Sequence, residues 1–452
     1  MTDELPGPQD ADGGGTRRLL WRSLRFVPET FMRLLVFCLI AAGAAAAATA
    51  PVAPVAAPDI ALLLREHSHG FAYSDRDLTG EGAAFLRKAT GNSQFVLLGE
   101  QHQDREIPRF AGALFHMLHA AHGVQTLVVE QDPVAIEDAL DYDRRGDVEA
   151  LARHARRYPS LYEFNSDQDL ALLADVARSV RGDNAIWGVE QAVGAVRYLE
   201  ALRDLATSDR LRQRIDDLLA AARAADPGPE YTAYWLANIK TGDTIASLTD
   251  AFAAKPGTRA AELLARLAKS AEIFGYYTRA ESGEFVGLYN NTVRESELKS
   301  NFLRRYRAAS VGGHAPRALF KFGANHLYRG RNPTQAFPIG NLAHELAIFN
   351  GMEAYGLLVI ALGPDYASYA DMPEWMRVLL PAAEPGTPQL VDLRALRRYQ
   401  RLFREKVAPA DAWQMLNVLH GYDAIVLLPG SAPATRKLGG VETDHVAERR
   451  ER

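Results

Sequence analysis

The chain has 452 residues, 48% of them hydrophobic and 24% charged, with a formal net charge of −5. That balance is ordinary for a globular protein and excludes wholesale disorder. The absence of a long basic run in the body of the chain gives no support to a nucleic-acid partner. The single cysteine, Cys38, falls in an apolar N-terminal run, so a mature protein lacking that run has no disulfide framework, thiolate zinc site or cysteine nucleophile.

From Leu34 to Thr49 the chain reads LLVFCLIAAGAAAAAT, preceded by Arg33 and followed by a Pro/Ala-rich stretch to Pro58. A short apolar core with a basic flank and small residues after it reads as a secretory signal. Residues 1–58 are therefore expected to be an export signal and linker, and the protein periplasmic or secreted. Met32 would make a conventional start for such a signal, and TRRLLWR at Thr16–Arg22 resembles a twin-arginine signal. The alternative is a retained membrane anchor, since the run is barely long enough to span about 30 Å of hydrocarbon.

Residues 59–193 read as the first half of an α/β core. Short helical patterns fill Ile60 to Thr90. An apolar run, Phe95 to Leu98, then stops at Gly99 and delivers Glu100 and His102. Apolar residues at Phe110, Ala113, Leu114, Met117 and Leu118 have helical spacing, closed by Gly123. A second run, Thr126 to Val129, ends at Glu130. This strand, helix, strand unit predicts two parallel neighbours. A helix is expected over Ala135–Tyr142 and another over Asp167–Val180 with Asp167 as N-cap. The run Asn184 to Glu190 ends in a third acid.

From 194 to 307 strand-like runs vanish, and an all-helical insertion is expected, serving as a lid or side wall. In its last helix Arg294, Leu298 and Asn301 share one face, which could look into a cleft. Residues 308–430 return to α/β texture. ALFKFGANH, Ala318 to His326, is an apolar run ending in Gly323 and His326, and strands are expected at Ala354–Leu362 and Tyr422–Leu428. Asn341 is a candidate helix cap. The polar residues 431–452 read as a flexible tail.

The fold class is thus α/β, a mainly parallel sheet flanked by helices. In such sheets ligands sit outside the carboxyl ends of the strands. The expected catalytic set is Glu100, His102, Glu130 and His326, with Glu190, Arg294, Asn325 and Arg329 as substrate contacts. Carboxylates and imidazoles in one cleft suit two chemistries. In one, histidine takes a proton from water while carboxylates orient it. In the other, a divalent metal such as zinc, manganese or cobalt, ligated by His102, His326 and Glu130, activates water. Crowded carboxylates repel, so one should be hard to ionise unless a cation sits among them. His116, His119 and His122 have the spacing of a metal triplet but lie on the intervening helix and read as packing or surface residues. GxSxG, GxxxxGKS and a strand-following GxGxxG are absent, which disfavours a serine hydrolase and nucleotide chemistry.

These residues resemble a superfamily that groups the erythromycin esterases, the haem-binding ChaN-like proteins and the TIKI/TraB metalloproteases. LLGEQHQD at Leu97–Asp104, VVEQD at Val128–Asp132 and FGANH at Phe322–His326 look like its motifs. RESELKSN at Arg294–Asn301 and YDAIVLLPGSAPATR are similar to the arginine helix and closing strand of the esterases. Glu100 and His102 are separated only by Gln101, a spacing like that of the ChaN and TIKI proteins, and GEQH with GANH matches the two GxxH motifs of the latter. The resemblance implies that His102 is base or ligand, Glu100 and Glu130 its carboxylate partners, His326 the second histidine, and Arg294 a substrate or oxyanion contact. It implies a hydrolase acting on an ester or peptide bond of a small molecule or peptide, which the N-terminal segment would place outside the cytoplasm. A ChaN-like haem-binding protein, in which surface-accessible histidines or a tyrosine, with Tyr276 and Tyr277 as candidates, hold the haem, is the alternative it carries.

Overall fold

The structure is a computed structural model. It describes residues 58–435 apart from 145–150, 152, 153, 155, 156, 159–165, 181, 183, 227–232, 239, 282–288, 311–313 and 364–367. The expected export segment and the residues after 435 lie outside this range.

Eight strands form one sheet: β1 (Ser68–Gly70), β2 (Ser93–Glu100), β3 (Thr126–Val129), β4 (Ile186–Gly188), β5 (Ala318–Gly323), β6 (Glu353–Leu362), β7 (Gln389–Asp392) and β8 (Ala424–Pro429). Their spatial order is β1-β7-β8-β6-β2-β5-β3-β4. The six strands from β8 to β4 are parallel, and β7 runs against both of its neighbours. Strands covered on both faces read as continuous apolar runs, which is why the central ones were legible in the sequence. The short strands β1 and β7, at one end of the sheet, carry no such run and were not expected.

One expectation on topology is corrected. The strands before and after the first long helix, β2 and β3, are parallel but not neighbours, because β5 lies between them and pairs with both. β5 arrives from almost two hundred residues later, so no local pattern announces it. Its insertion puts Gly323 and His326 between the strands that end in Glu100 and Glu130.

Alternation along the strands feeds two separate cores. On one face Val96, Leu98, Leu127, Val129 and Leu319 pack with α1 (Glu106–His122), α2 (Pro133–Arg144) and α3 (Asp167–Ser179). α1 opens where Asp104 Oδ1 accepts from the N–H groups of Glu106 and Ile107, and it closes at Gly123, whose φ of 67° is the left-handed cap favoured by glycine. α3 is capped by Ser166, whose Oγ accepts from the Asp169 N–H, and not by Asp167 as expected.

Between 195 and 309 every described element is helical. α4 (Ala195–Leu205), α5 (Asp209–Ala225), α6 (Thr241–Phe252) and α7 (Arg259–Glu281) share a core of their own, with Leu199, Ile215, Leu248 and Leu267 wholly buried. The last helix, α8 (Tyr289–Ala309), instead belongs to the second sheet face. Its Phe302 meets Phe320, Phe95 and Trp187 with ring centroids 5.1, 5.8 and 6.0 Å apart. This packing fixes where Arg294 emerges. α9 (Ile339–Phe349) and α10 (Ala412–Gly421) complete that face. Pro338 precedes α9, and Asn341 Oδ1 accepts from the Gly330 N–H instead of capping it.

The expected flexible tail is fastened over its first residues. Ala432 O accepts from the Arg105 N–H, Gln103 O accepts from the Ala434 N–H, and Ser431 Oγ donates to Asp104. Thr435 bonds Asp167 and Gln168 at the start of α3. Among the described residues no helix is long and apolar enough to cross a membrane.

Candidate functional site

The four strand ends named in the sequence converge. Glu100 closes β2 and His102 follows it in a turn whose next residue, Gln103, has a φ of 63°, a left-handed conformation that few side-chain-bearing residues adopt. The residues 431–434 brace this turn from behind. His102 Nδ1 lies 3.3 Å from Glu100 Oε1, and Nε2 lies 3.7 Å from Glu130 Oε2. That Glu130 oxygen also accepts from the Gly323 N–H at 2.7 Å. A Cβ on Gly323 would stand 2.4 Å from His102 Nε2, so only glycine leaves room for the imidazole.

Glu130 is the hub. Its Oε1 accepts from Arg294 Nη2 at 2.8 Å and lies 3.3 Å from His326 Nε2. Glu190, beyond β4, takes the other side of the Arg294 guanidinium, at 2.6 Å from Nη2 and 3.2 Å from Nε. The α8 face expected to look into a cleft reaches the strand ends. Arg294 bridges two strand ends, Leu298 is buried, and Asn301 Nδ2 donates to Val189 O, pinning the turn before Glu190.

Three members escaped the sequence reading. Glu295 accepts from His326 Nδ1 at 2.6 Å and from the Ile339 N–H at 2.9 Å. Lys321 Nζ lies 2.7 Å from Glu100 Oε1 and 3.0 Å from Asp169 Oδ1. Only Lys321 had a signal, a charge inside the apolar run ALFKFG. A buried charge in a strand is the informative exception.

Two expected substrate contacts do not join this group. Arg329 donates to Asp423 at 3.0 and 3.1 Å and lies 3.3 Å from His344, at the start of β8. The loop after His326 turns back over the sheet face there, with the Arg329 N–H bonding Gly421 O. Asn325 is exposed, and its carbonyl accepts from Asn332 Nδ2. The helix histidines part ways as expected. His116 meets Asp175, His119 meets the Val124 carbonyl and His122 the Arg87 carbonyl. On α7, Tyr276 is buried beneath the Arg279 guanidinium, whereas Tyr277 is exposed.

The electrostatics follow from this crowding. Burial works against ionising Glu100, yet Lys321 and His102 outweigh it and hold the carboxyl at about 2. Burial opposes Glu130 as well, and His326, His102 and Arg294 together keep it well below the usual carboxylate range. Burial would lower His326, but Glu130 and Glu295 push it up to about 10, so this imidazole stays protonated at neutral pH. The acid that is hard to ionise is Asp169, raised by burial, with Lys321 relieving it and Glu100 adding to it.

A protonated His326 cannot accept a proton from water. That leaves His102, whose side chain is 26% exposed, as the more accessible imidazole, with Arg294, which shares Glu130 with it, at 24%. The four glutamates lie beneath, Glu130 at only 1%. Among the described residues no three His, Cys, Asp or Glu side chains are placed to hold a metal ion. The reason is visible in the donor set. Glu130 already accepts from Gly323 and Arg294, and Glu100 is engaged by Lys321, so cations of the protein stand where a metal would compete. His102, His326 and Glu130 as arranged do not fit the expected ligand set.

No protein-family model matches the chain, and no curated protein matches it. Solved structures do. A Bacillus cereus protein matches at 13% identity and a TM-score of 0.52, covering 83% of this chain and 98% of that one. A mutant of the erythromycin esterase EreC in its open conformation matches at 15% and 0.51, covering 78% and 94%. A succinoglycan biosynthesis protein matches at 12% and 0.50, covering 83% and 98%. At these identities the likeness is one of fold: the chain has the α/β architecture of the erythromycin esterase structure.

Proposed function

We propose that this chain is a hydrolase that activates water at His102. The observation that carries the reading is the partly exposed imidazole held between two buried, ionised carboxylates, with an arginine opening onto the same cleft. A water at His102 gives up a proton to the ring as it attacks a carbonyl carbon, and the ring returns that proton to the alcohol or amine that departs when the adduct collapses. Glu100 orients the ring and stabilises the positive charge that proton uptake creates. Arg294, fixed by Glu130 and Glu190, faces the negative charge that develops on the carbonyl oxygen, and protonated His326 adds a second positive charge behind it. The fold shared with an erythromycin esterase supports ester or peptide hydrolysis, on a small molecule or peptide. No step requires a metal. The apolar run at Leu34–Thr49 supports placing the enzyme outside the cytoplasm.

The test is hydrolysis by the purified protein of a panel of p-nitrophenyl acyl esters and peptide anilides, before and after chelation. His102→Ala should lower kcat/KM at least about 100-fold, the usual worth of a general base. Turnover unchanged in His102→Ala would overturn the reading.

A further inference from the structure

β5 is buried along its whole length, and its central residue, Lys321, is a cation only 3% exposed. Leu319, Phe320 and Phe322 around it are wholly buried. Removing an ammonium from water is costly even when it is paired. An apolar side chain of similar volume often serves stability as well or better. Packing alone therefore does not account for a lysine here.

Its contacts suggest what does. Lys321 Nζ lies on the oxygen of Glu100 that faces His102 Nδ1, and it is held from the other side by Asp169, itself fixed by Ser166 Oγ at 2.6 Å. A line of groups, Asp169, Lys321, Glu100 and His102, thus runs from the buried start of α3 to the exposed imidazole. Without the ammonium, Glu100 would be a buried carboxylate facing Asp169, and it would take up a proton. A protonated Glu100 is a poor acceptor for an imidazole N–H.

We propose that Lys321 is a positioning residue of the site: through Glu100 it keeps the proton of the His102 ring on Nδ1 and leaves Nε2, which lies 3.7 Å from Glu130 Oε2, as the proton acceptor. The use of that arrangement rests on the hydrolase reading, but the proton position is a property of the folded protein and is measured without substrate.

The experiment is nitrogen NMR of protein labelled with 15N histidine, the His102 signals assigned by their loss in His102→Gln. The wild type should show a protonated Nδ1. Lys321→Met should shift Nδ1 to an unprotonated resonance, with the proton on Nε2. Because Lys321→Met leaves two buried carboxylates together, Lys321→Met with Asp169→Leu provides a second variant with an apolar core, and the same shift is expected. Lys321→Arg, which keeps the charge, should retain the wild-type signature. On any ester the wild type hydrolyses, Lys321→Met should lower kcat about 10- to 100-fold with KM within about twofold. A Nδ1 that stays protonated in the folded Lys321 variants overturns the proposal, whatever the activity. A protein with the expected shift but no turnover on any substrate leaves the proposal standing and counts against the hydrolase reading.

Discussion

Two clusters of arginine, histidine and carboxylate lie in this molecule, built from the same residue types to different ends. At the start of β8 a single acid, Asp423, accepts from Arg329, from Arg397 at 2.9 Å and from the Gly356 N–H at 2.9 Å. Burial, with Arg329 second, pushes the adjoining His344 down to about 3, so it stays neutral and buried. At the strand ends, by contrast, five acids surround Lys321, Arg294 and His326, and one histidine is held charged while another faces the cleft. In the first cluster every lone pair of the acid is spoken for, and its effect is to tie the loop after His326 to β6 and β8. In the second, the surplus of acid is balanced by cations that leave His102 and Arg294 accessible. What marks a site is unspent chemistry at a surface, not its inventory of residues.

The comparison can be broken most directly at Asp423. Asp423→Asn removes the charge facing two guanidiniums. It should cost about 2–3 kcal/mol of unfolding free energy, less than a fully buried pair because both arginines reach solvent. Urea unfolding reads the loss, while kcat per folded molecule should stay within about threefold. A large loss of kcat with stability intact would mean the two clusters are not separable.

Next in size is a contrast in pH response. His326 binds its proton more tightly folded than unfolded. Its contribution is complete below the ordinary histidine value near 6.5 and is lost as pH rises to about 10. His344 has the opposite sign. Between about 6.5 and about 3 the unfolded chain binds the proton and the folded one does not, so stability falls as pH drops through that window. Asp423, held below its usual range by Arg329 against the effect of burial, adds to the acid loss as pH falls through its folded value. Unfolding measured across pH should therefore show a shallower alkaline limb in His326→Gln and a shallower acid limb in His344→Leu. The reverse pattern, with the two variants exchanging limbs, would refute a charged His326 and a neutral His344.

The smallest effect concerns the brace behind His102. Ser431→Ala deletes the hydroxyl that bonds Asp104 and should cost about 1 kcal/mol. Hydrogen exchange of the Glu106 and Ile107 amides, which Asp104 caps, should quicken in the variant. Unchanged exchange would show that residues 431–435 rest on the turn without holding it.

Much of the site is legible in the sequence. Glu100, His102, Glu130, Glu190 and His326 each follow an apolar run, and a strand buried on both faces leaves its first polar residue at the rim. Arg294 is legible because helical spacing places it on the face of Leu298. Arg329 misleads, since a basic residue soon after a site histidine looks like a substrate contact until the loop is seen to fold back onto Asp423. Glu295 carries no signal of its own, because its partner His326 belongs to a different segment of the chain.

The sequence by itself determined the six parallel strands, the acids and histidines at the ends of four of them and the helical stretch between the two halves of the sheet, because each is a local pattern of apolar periodicity and turn residues. Tertiary structure alone decided that β5 lies between β2 and β3, that Lys321 sits beneath Glu100, and that one histidine is charged while another faces the cleft. Those outcomes depend on which distant segments become neighbours, and both strand order and the ionisation of a buried group are set by neighbours that a single chain read in order does not reveal.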